Sequence, residues 1–276
     1  MSKIPFWKMS GSGNDFIIID NRDGSLDRLK TPSFIRAVCL RKLSVGADGL
    51  IFIEASDSCD FSWCFFNADG SEAEMCGNGG RCAARFAYLN DMAGSALSFE
   101  TIAGVIRAEI SGSHVKIQLS RPGELQTNTA LDVDGTSLTI HTLNTGVPHV
   151  VCFVDDIEAV PVKDLGATIR FHRRFQPAGT NVNFVSPGVA GVFSIRTYER
   201  GVEDETLACG TGCVAAALTA IALGKAQSPV RMHTRSGEVL GVHTNEKAPP
   251  FSSVYLEGGA TVVYDGELWE ESYSSV

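Results

Sequence analysis

The chain has 276 residues, 44% of them hydrophobic and 20% charged, with a formal net charge of −9 and a pI of about 5.2. That length holds one large domain or two of roughly 130 residues. The acidic balance, without a basic cluster, disfavours nucleic acid and anionic membrane as partners, and no apolar run approaches the ~18 residues of a membrane span. The opening M-S-K-I-P-F-W-K-M-S has no signal-peptide pattern, so the eight cysteines read as free thiols of a cytoplasmic protein, not as a disulfide framework.

In chain order, Ile4 to Lys8 reads as a strand, Ser10 to Phe16 as a glycine-rich loop, and Ile17 to Asp20 as a second strand. Ser33 to Leu43 has a helical pattern with Phe34, Val38 and Cys39 on one side. Gly46 to Glu54 gives a turn and a strand, Phe61 to Asn67 a strand, and Cys76 to Asn90 a helix. Leu97 to Ile110 and His114 to Ser120 supply three more strands. The apolar segment Cys213 to Leu223 carries no charge on any face, as a helix buried all round requires. Gly224 is placed to stop it. Cys209 then lies at the N-terminus of this helix, where unpaired N–H groups and the helix dipole favour a thiolate.

The second half repeats the first in a single gap-free register, the one that sets Cys209 against Cys76. Glu72, Cys76, Gly77 and Gly79 correspond to Glu205, Cys209, Gly210 and Gly212. Ser12-Gly13 corresponds to Thr145-Gly146, Gly46 to Gly179, and Thr101 and Gly104 to Thr234 and Gly237. A period of this size is a domain length, so it marks duplication and not a solenoid. The expected fold is α/β (α+β): two pseudo-symmetric domains, each a mixed β-sheet rolled around a central apolar helix. A linker is expected near Arg121-Pro122-Gly123. The N-terminal domain is read as residues 1–121 plus 261–276, carrying Cys76, and the C-terminal domain as 122–260, carrying Cys209.

Two cysteines at helix N-termini in related halves are what inversion of a carbon centre needs. One group takes a proton from one face while the other delivers a proton to the opposite face. A free thiol ionises near pH 8.5, and a helix N-terminus brings it towards physiological pH. The N–H groups of Gly77 and Asn78, and of Gly210 and Thr211, are placed to hold a carboxylate. The other six cysteines read as small buried hydrophobes. G-T-G-C-V-A (Gly210 to Ala215) formally matches a dinucleotide fingerprint, but an acidic loop precedes it where a strand should stand. No histidine or cysteine pair has metal-ligand spacing. His149 is either a structural histidine or a tuner of a nearby thiol. Asn14, Asn67 and Asn183 are turn residues or polar ligands. Glu199 and Arg200, upstream of Cys209, suit a charged ligand.

Five stretches carry a family resemblance: Ser12 to Phe16, Asn67 to Cys82, Asn144 to His149, Gly179 to Phe184, and Glu199 to Gly212. Through them the chain resembles the diaminopimelate epimerases. The resemblance implies an enzyme without a cofactor or metal that interconverts LL- and meso-diaminopimelate, a small-molecule substrate of lysine and peptidoglycan-precursor synthesis. It further implies two acid/base cysteines, Cys76 and Cys209, and substrate contacts from Asn14, Asn67, Gly77, Asn78, Asn183, Glu199, Arg200, Gly210 and Thr211. His149 and Glu199 match residues that tune the thiols, and members are commonly homodimers. Gly49 stands where some members have glutamine, and Val147 where many have asparagine. The rival enzymatic reading, a proline-type racemase of the same two-cysteine kind, fits Arg200 and the asparagines poorly, because proline has no distal charged end. A periplasmic-type amino-acid binding module or a thiol redox protein is disfavoured by the missing signal-peptide pattern and the absence of C-x-x-C.

Overall fold

The structure, a computed structural model, describes residues 3–188 and 191–274. The chain begins with β1 (Ile4–Gly11), β2 (Asn14–Asp20), α1 (Pro32–Cys39), β3 (Gly49–Glu54) and β4 (Phe61–Asn67). Then come α2 (Gly77–Leu89), β5 (Ala96–Thr101), β6 (Gly104–Ser111) and β7 (His114–Gln118). β8 (Gln126–Val133), β9 (Thr136–Asn144), β10 (Pro148–Phe153), α3 (Val162–Phe171), β11 (Asn181–Pro187) and β12 (Val192–Glu199) follow. The chain closes with β13 (Asp204–Thr206), α4 (Gly210–Ala222), β14 (Val230–His233), β15 (Val239–Thr244), β16 (Val254–Gly259), β17 (Thr261–Leu268) and α5 (Glu271–Ser274). Two compact units result: one runs to Ile117 and resumes at Gly258, the other spans Gln118–Glu257.

In the first unit the strands pair in the order β17-β1-β2-β3-β4-β5-β6-β7. Only β2–β3 and β4–β5 run parallel. In the second unit the order is β8-β9-β10-β11-β12-β14-β15-β16, with β10–β11 and β12–β14 parallel and the other neighbours antiparallel. The two ladders therefore have the same sequence of parallel and antiparallel neighbours, and the duplicated mixed-sheet fold is present in the structure. Both ends of α4 keep the register of the repeat, Gly210 answering Gly77 and Ala222 answering Leu89. The duplication is also permuted. The outer position that β8 fills in its own unit is filled in the first unit by β17, from the other end of the chain.

The central strands of each sheet, β2 and β3 in the first unit and β10 and β11 in the second, are buried on both faces, which accounts for their nearly continuous apolar runs. In the second unit Ala215, Ala216, Ala217 and Leu218 of α4 pack against a shell drawn from β9 to β12 and β14 to β16, including Leu143, Val151, Val185, Ile195, Met232, Leu240 and Leu256. The opposite face, with Val150, Val182 and Phe184, packs against Val162 and Ile169 of α3. In the first unit Ile17, Ile19, Leu50 and Phe52 pack against Phe34, Ile35 and Val38 of α1.

Local chemistry sets the element ends. Thr31 caps α1 by accepting from Phe34 N–H at 3.3 Å, with Pro32 in the first turn. This helix stops at Cys39, short of the expected Leu43, because Leu40 is already extended. The expected loop Ser10 to Phe16 is instead a two-residue hairpin turn. Ser12 and Gly13 both have positive φ (52° and 90°), the combination that matches strand twist. α4 ends as expected at Gly224 (φ 68°), with Gly224 N–H donating to Ile221 and Lys225 N–H to Ala220, which satisfies two otherwise unpaired carbonyls.

Candidate active site

Two half-sites, one in each unit, are built alike. Cys76 is the N-cap of α2, with extended backbone, and its Sγ accepts from Gly79 N–H at 3.5 Å. Cys209 is the N-cap of α4, and its Sγ lies 3.5 Å from Thr211 Oγ1. The extended cap residue turns its side chain back over the first helical N–H groups, so the sequence places a sulfur where a serine or aspartate oxygen usually sits.

In the first unit Asn78 Nδ2 donates to Asn14 Oδ1 at 2.8 Å, and Asn14 Nδ2 donates to Asp48 at 3.0 Å. Arg81, wholly buried on the second turn of α2, donates to Asn78 Oδ1 at 2.8 Å, to Ser12 Oγ and to the Gly259 carbonyl. The structure thus joins Asn14 and Asn78 of the sequence-derived set. It ties Asn67 elsewhere: this exposed side chain donates to Ser71 Oγ at 3.1 Å.

In the second unit the Asn183 side chain is wholly buried and hydrogen-bonded within the protein. Nδ2 donates to the Val150 carbonyl at 2.8 Å and to His149 Nδ1 at 3.1 Å, while Oδ1 accepts from Thr197 Oγ1 at 3.0 Å. Asn183 packs against the first turn of α4: a Cβ on Gly212 would lie 2.2 Å from Asn183 Oδ1 and 3.3 Å from Cys209 Sγ. Thr145 Oγ1 donates to the Thr211 carbonyl at 3.1 Å, fixing the turn after Cys209. Arg200 is held by its backbone N–H on Asn181 Oδ1 and by Nη1 on the Ala178 carbonyl, each at 2.8 Å.

The expected drop of both thiols towards physiological pH is opposed by burial. Desolvation pushes Cys76 up; the N–H groups of Gly79 and Asn78 and the Arg81 guanidinium pull it down, and the Asp48 charge adds to the rise. Cys209 is pushed up to about 11, first by burial and then by the charge of Glu199, against weaker donation from Thr211 and Gly212. The helix N-termini act in the expected direction but are outweighed. His149 is lowered to about 3 by burial and then by Arg200, so it is neutral at neutral pH. As its Nδ1 accepts from Asn183, its proton sits on Nε2, and that buried N–H has no partner among the described residues. Any influence of His149 on a thiol therefore passes through an uncharged donor. Burial raises the Glu199 carboxyl.

Asp48, Arg81, Ser12, Thr145, Asn181 and Thr197 were not singled out as site residues, yet all six hold the half-sites. Arg81 alone had a visible signal: a charge on the buried side of a helix whose other buried residues are Asn78 and Gly, Ala, Cys and Phe. Among the described residues no group of three or more His, Cys, Asp or Glu side chains is arranged to hold a metal ion.

A family model described as diaminopimelate epimerase matches residues 6–124 and 141–263. The chain belongs to the diaminopimelate epimerase family. It is 50% identical to the diaminopimelate epimerase of Aquifex aeolicus (strain VF5), covering 96% of this chain and 98% of that protein. It is 49% identical to that of Hydrogenobaculum sp. (strain Y04AAS1), covering 96% and 99%. Among solved structures it resembles a Bacillus anthracis phenazine biosynthesis protein of the PhzF family (TM-score 0.72, 15% identity, 98% and 100% covered). It also resembles a probable proline racemase from Agrobacterium radiobacter K84 (TM-score 0.69, 14% identity, 99% and 94% covered). These structural likenesses show a shared fold.

A side chain at Gly49 would begin 2.6 Å from the Phe65 ring and 2.7 Å from the Phe66 carbonyl, so β3 has no room there for a residue such as glutamine.

Proposed function

We propose that this isomerase interconverts LL-2,6-diaminopimelate and meso-diaminopimelate by two-base proton transfer at one α-carbon, using Cys76 and Cys209. One thiolate removes the α-proton and becomes a thiol. The opposite thiol gives its proton to the other face and becomes the thiolate. The substrate α-carboxylate, on which the carbanion charge spreads, is held by N–H groups of Gly77, Asn78, Gly210 and Thr211. The observation that carries the reading is that the two matched helices of a duplicated fold each begin at a cysteine, in a chain of this family.

Asn14, Asn67, Glu199 and Arg200 take the distal amino-acid end, with Arg200 on its carboxylate. Asn183 and His149 act behind Cys209. No pyridoxal phosphate or metal is needed, because the second thiol and the N–H groups stabilise the developing charge. Water is kept from the carbanion while the proton is transferred. The protein works in the cytoplasm as a homodimer.

Incubation with LL-diaminopimelate in D₂O tests this. Meso product carrying deuterium at one α-carbon is expected. Exchange with proline and none with diaminopimelate would overturn the assignment.

A further inference from the structure

The two half-sites match in backbone but not in charge. In the register of the repeat Arg81 corresponds to Val214, and Glu199 corresponds to Phe66. A buried guanidinium therefore sits one turn below Cys76 with an apolar residue at its counterpart, and a carboxylate acts on Cys209 with a phenyl ring at its counterpart. Arg81 is also mechanically central. Its bonds to Ser12 Oγ, Asn78 Oδ1 and the Gly259 carbonyl tie the β1–β2 turn, the residue two after Cys76 and the segment before β17 to one helix.

We infer that Arg81 is a positioning residue for Cys76 and that, set against Glu199 in the other half, it makes the thiols unequal: Cys76 loses its proton first and is the resting base, while Cys209 keeps its proton and is the resting acid. The inference rests on the two-base epimerase reading. The other charge acting on Cys76 is Asp48, which opposes Arg81 but is itself engaged by Arg41 at 2.9 Å and by the Asn14 amide. Among the causes acting on Cys209, Glu199 is the charged side chain with the largest effect, and burial keeps His149 neutral. A turnover begun from this resting form leaves Cys76 as thiol and Cys209 as thiolate. Before the next identical turnover, Cys76 must return a proton to solvent and Cys209 must take one up. Arg81 favours that reset at one end and Glu199 at the other.

The test is peptide-resolved alkylation with iodoacetamide between pH 7 and 12 on the full chain without substrate, alongside deuterium exchange of diaminopimelate by the same preparations. Midpoints, not rates, are compared, so differences in access cancel. The Cys76 midpoint should lie below that of Cys209. Arg81→Gln should raise the Cys76 midpoint by about one pH unit, a tenfold loss of labelling below it, and leave Cys209 in place. Arg81→Lys should recover part of that shift. Glu199→Gln should lower the Cys209 midpoint alone. Equal or reversed midpoints in the unsubstituted protein overturn the inference, as does an unmoved Cys76 midpoint in Arg81→Gln. If Arg81→Gln does not fold, the unsubstituted order and Glu199→Gln decide. Normal deuterium exchange with reversed midpoints would defeat this inference alone; no exchange with any diaminopimelate would defeat the epimerase reading instead.

Discussion

At the scale of single residues, burial fixes the protonation state of His149. His149 is neutral in the folded protein down to about pH 3, against 6.5 unperturbed. A folded pKa below the unfolded value means that stability is complete above about pH 6.5. It is lost as pH falls from there towards 3, because only the unfolded chain takes up the proton. Each pH unit in that window costs about 1.4 kcal/mol. The denaturation midpoint should therefore be lower at pH 5 than at pH 7.5, and His149→Gln should remove most of the difference. An equal drop in the variant would show that other groups cause it. None of this was legible in the sequence, where a lone histidine after a proline is compatible with core, tuner or ligand. Only the packing of Asn183 and the burial of the ring select among them.

At the scale of elements, the beginning of α4 is fixed by close packing against β11. Gly212 is needed for space, not for flexibility: Asn183 Oδ1 occupies the place of its missing Cβ. Gly212→Ala must displace the amide that also holds His149 and Val150, at a cost of about 1–3 kcal/mol for overpacking. The expected result is a lower thermal midpoint and at least a tenfold lower kcat, since misplacement near the thiol weakens the transition state more than binding. Wild-type turnover in the folded variant would mean that this packing does not position Cys209. The G-T-G pattern was visible in the sequence, but the reason for its second glycine lies on another strand, at Asn183. The helix ends were easier to read, because Gly224 and the cysteine-glycine starts are local signals. The β1–β2 turn was harder: two glycines alternating with two serines in S-G-S-G allowed several turn positions, and strand register chose Ser12-Gly13.

At the scale of the whole molecule, the duplication was the most legible feature, because the spacing to the second half stays constant from Ser12 to Gly104. The structure adds what pattern matching omits: equal ladders with one strand exchanged between chain ends. The chemistry was legible as a pair of cysteines, while their electrostatic inequality was not, because Arg81 and Glu199 break the repeat instead of following it. The central claim is that both thiols are obligatory acid and base, and turnover of LL-diaminopimelate by Cys76→Ser and Cys209→Ser tests it most directly. Each variant should keep its fold by thermal denaturation and lose about 10²–10⁴ in kcat, the worth of a positioned proton-transfer group. Wild-type kcat in either folded variant would contradict the two-base account.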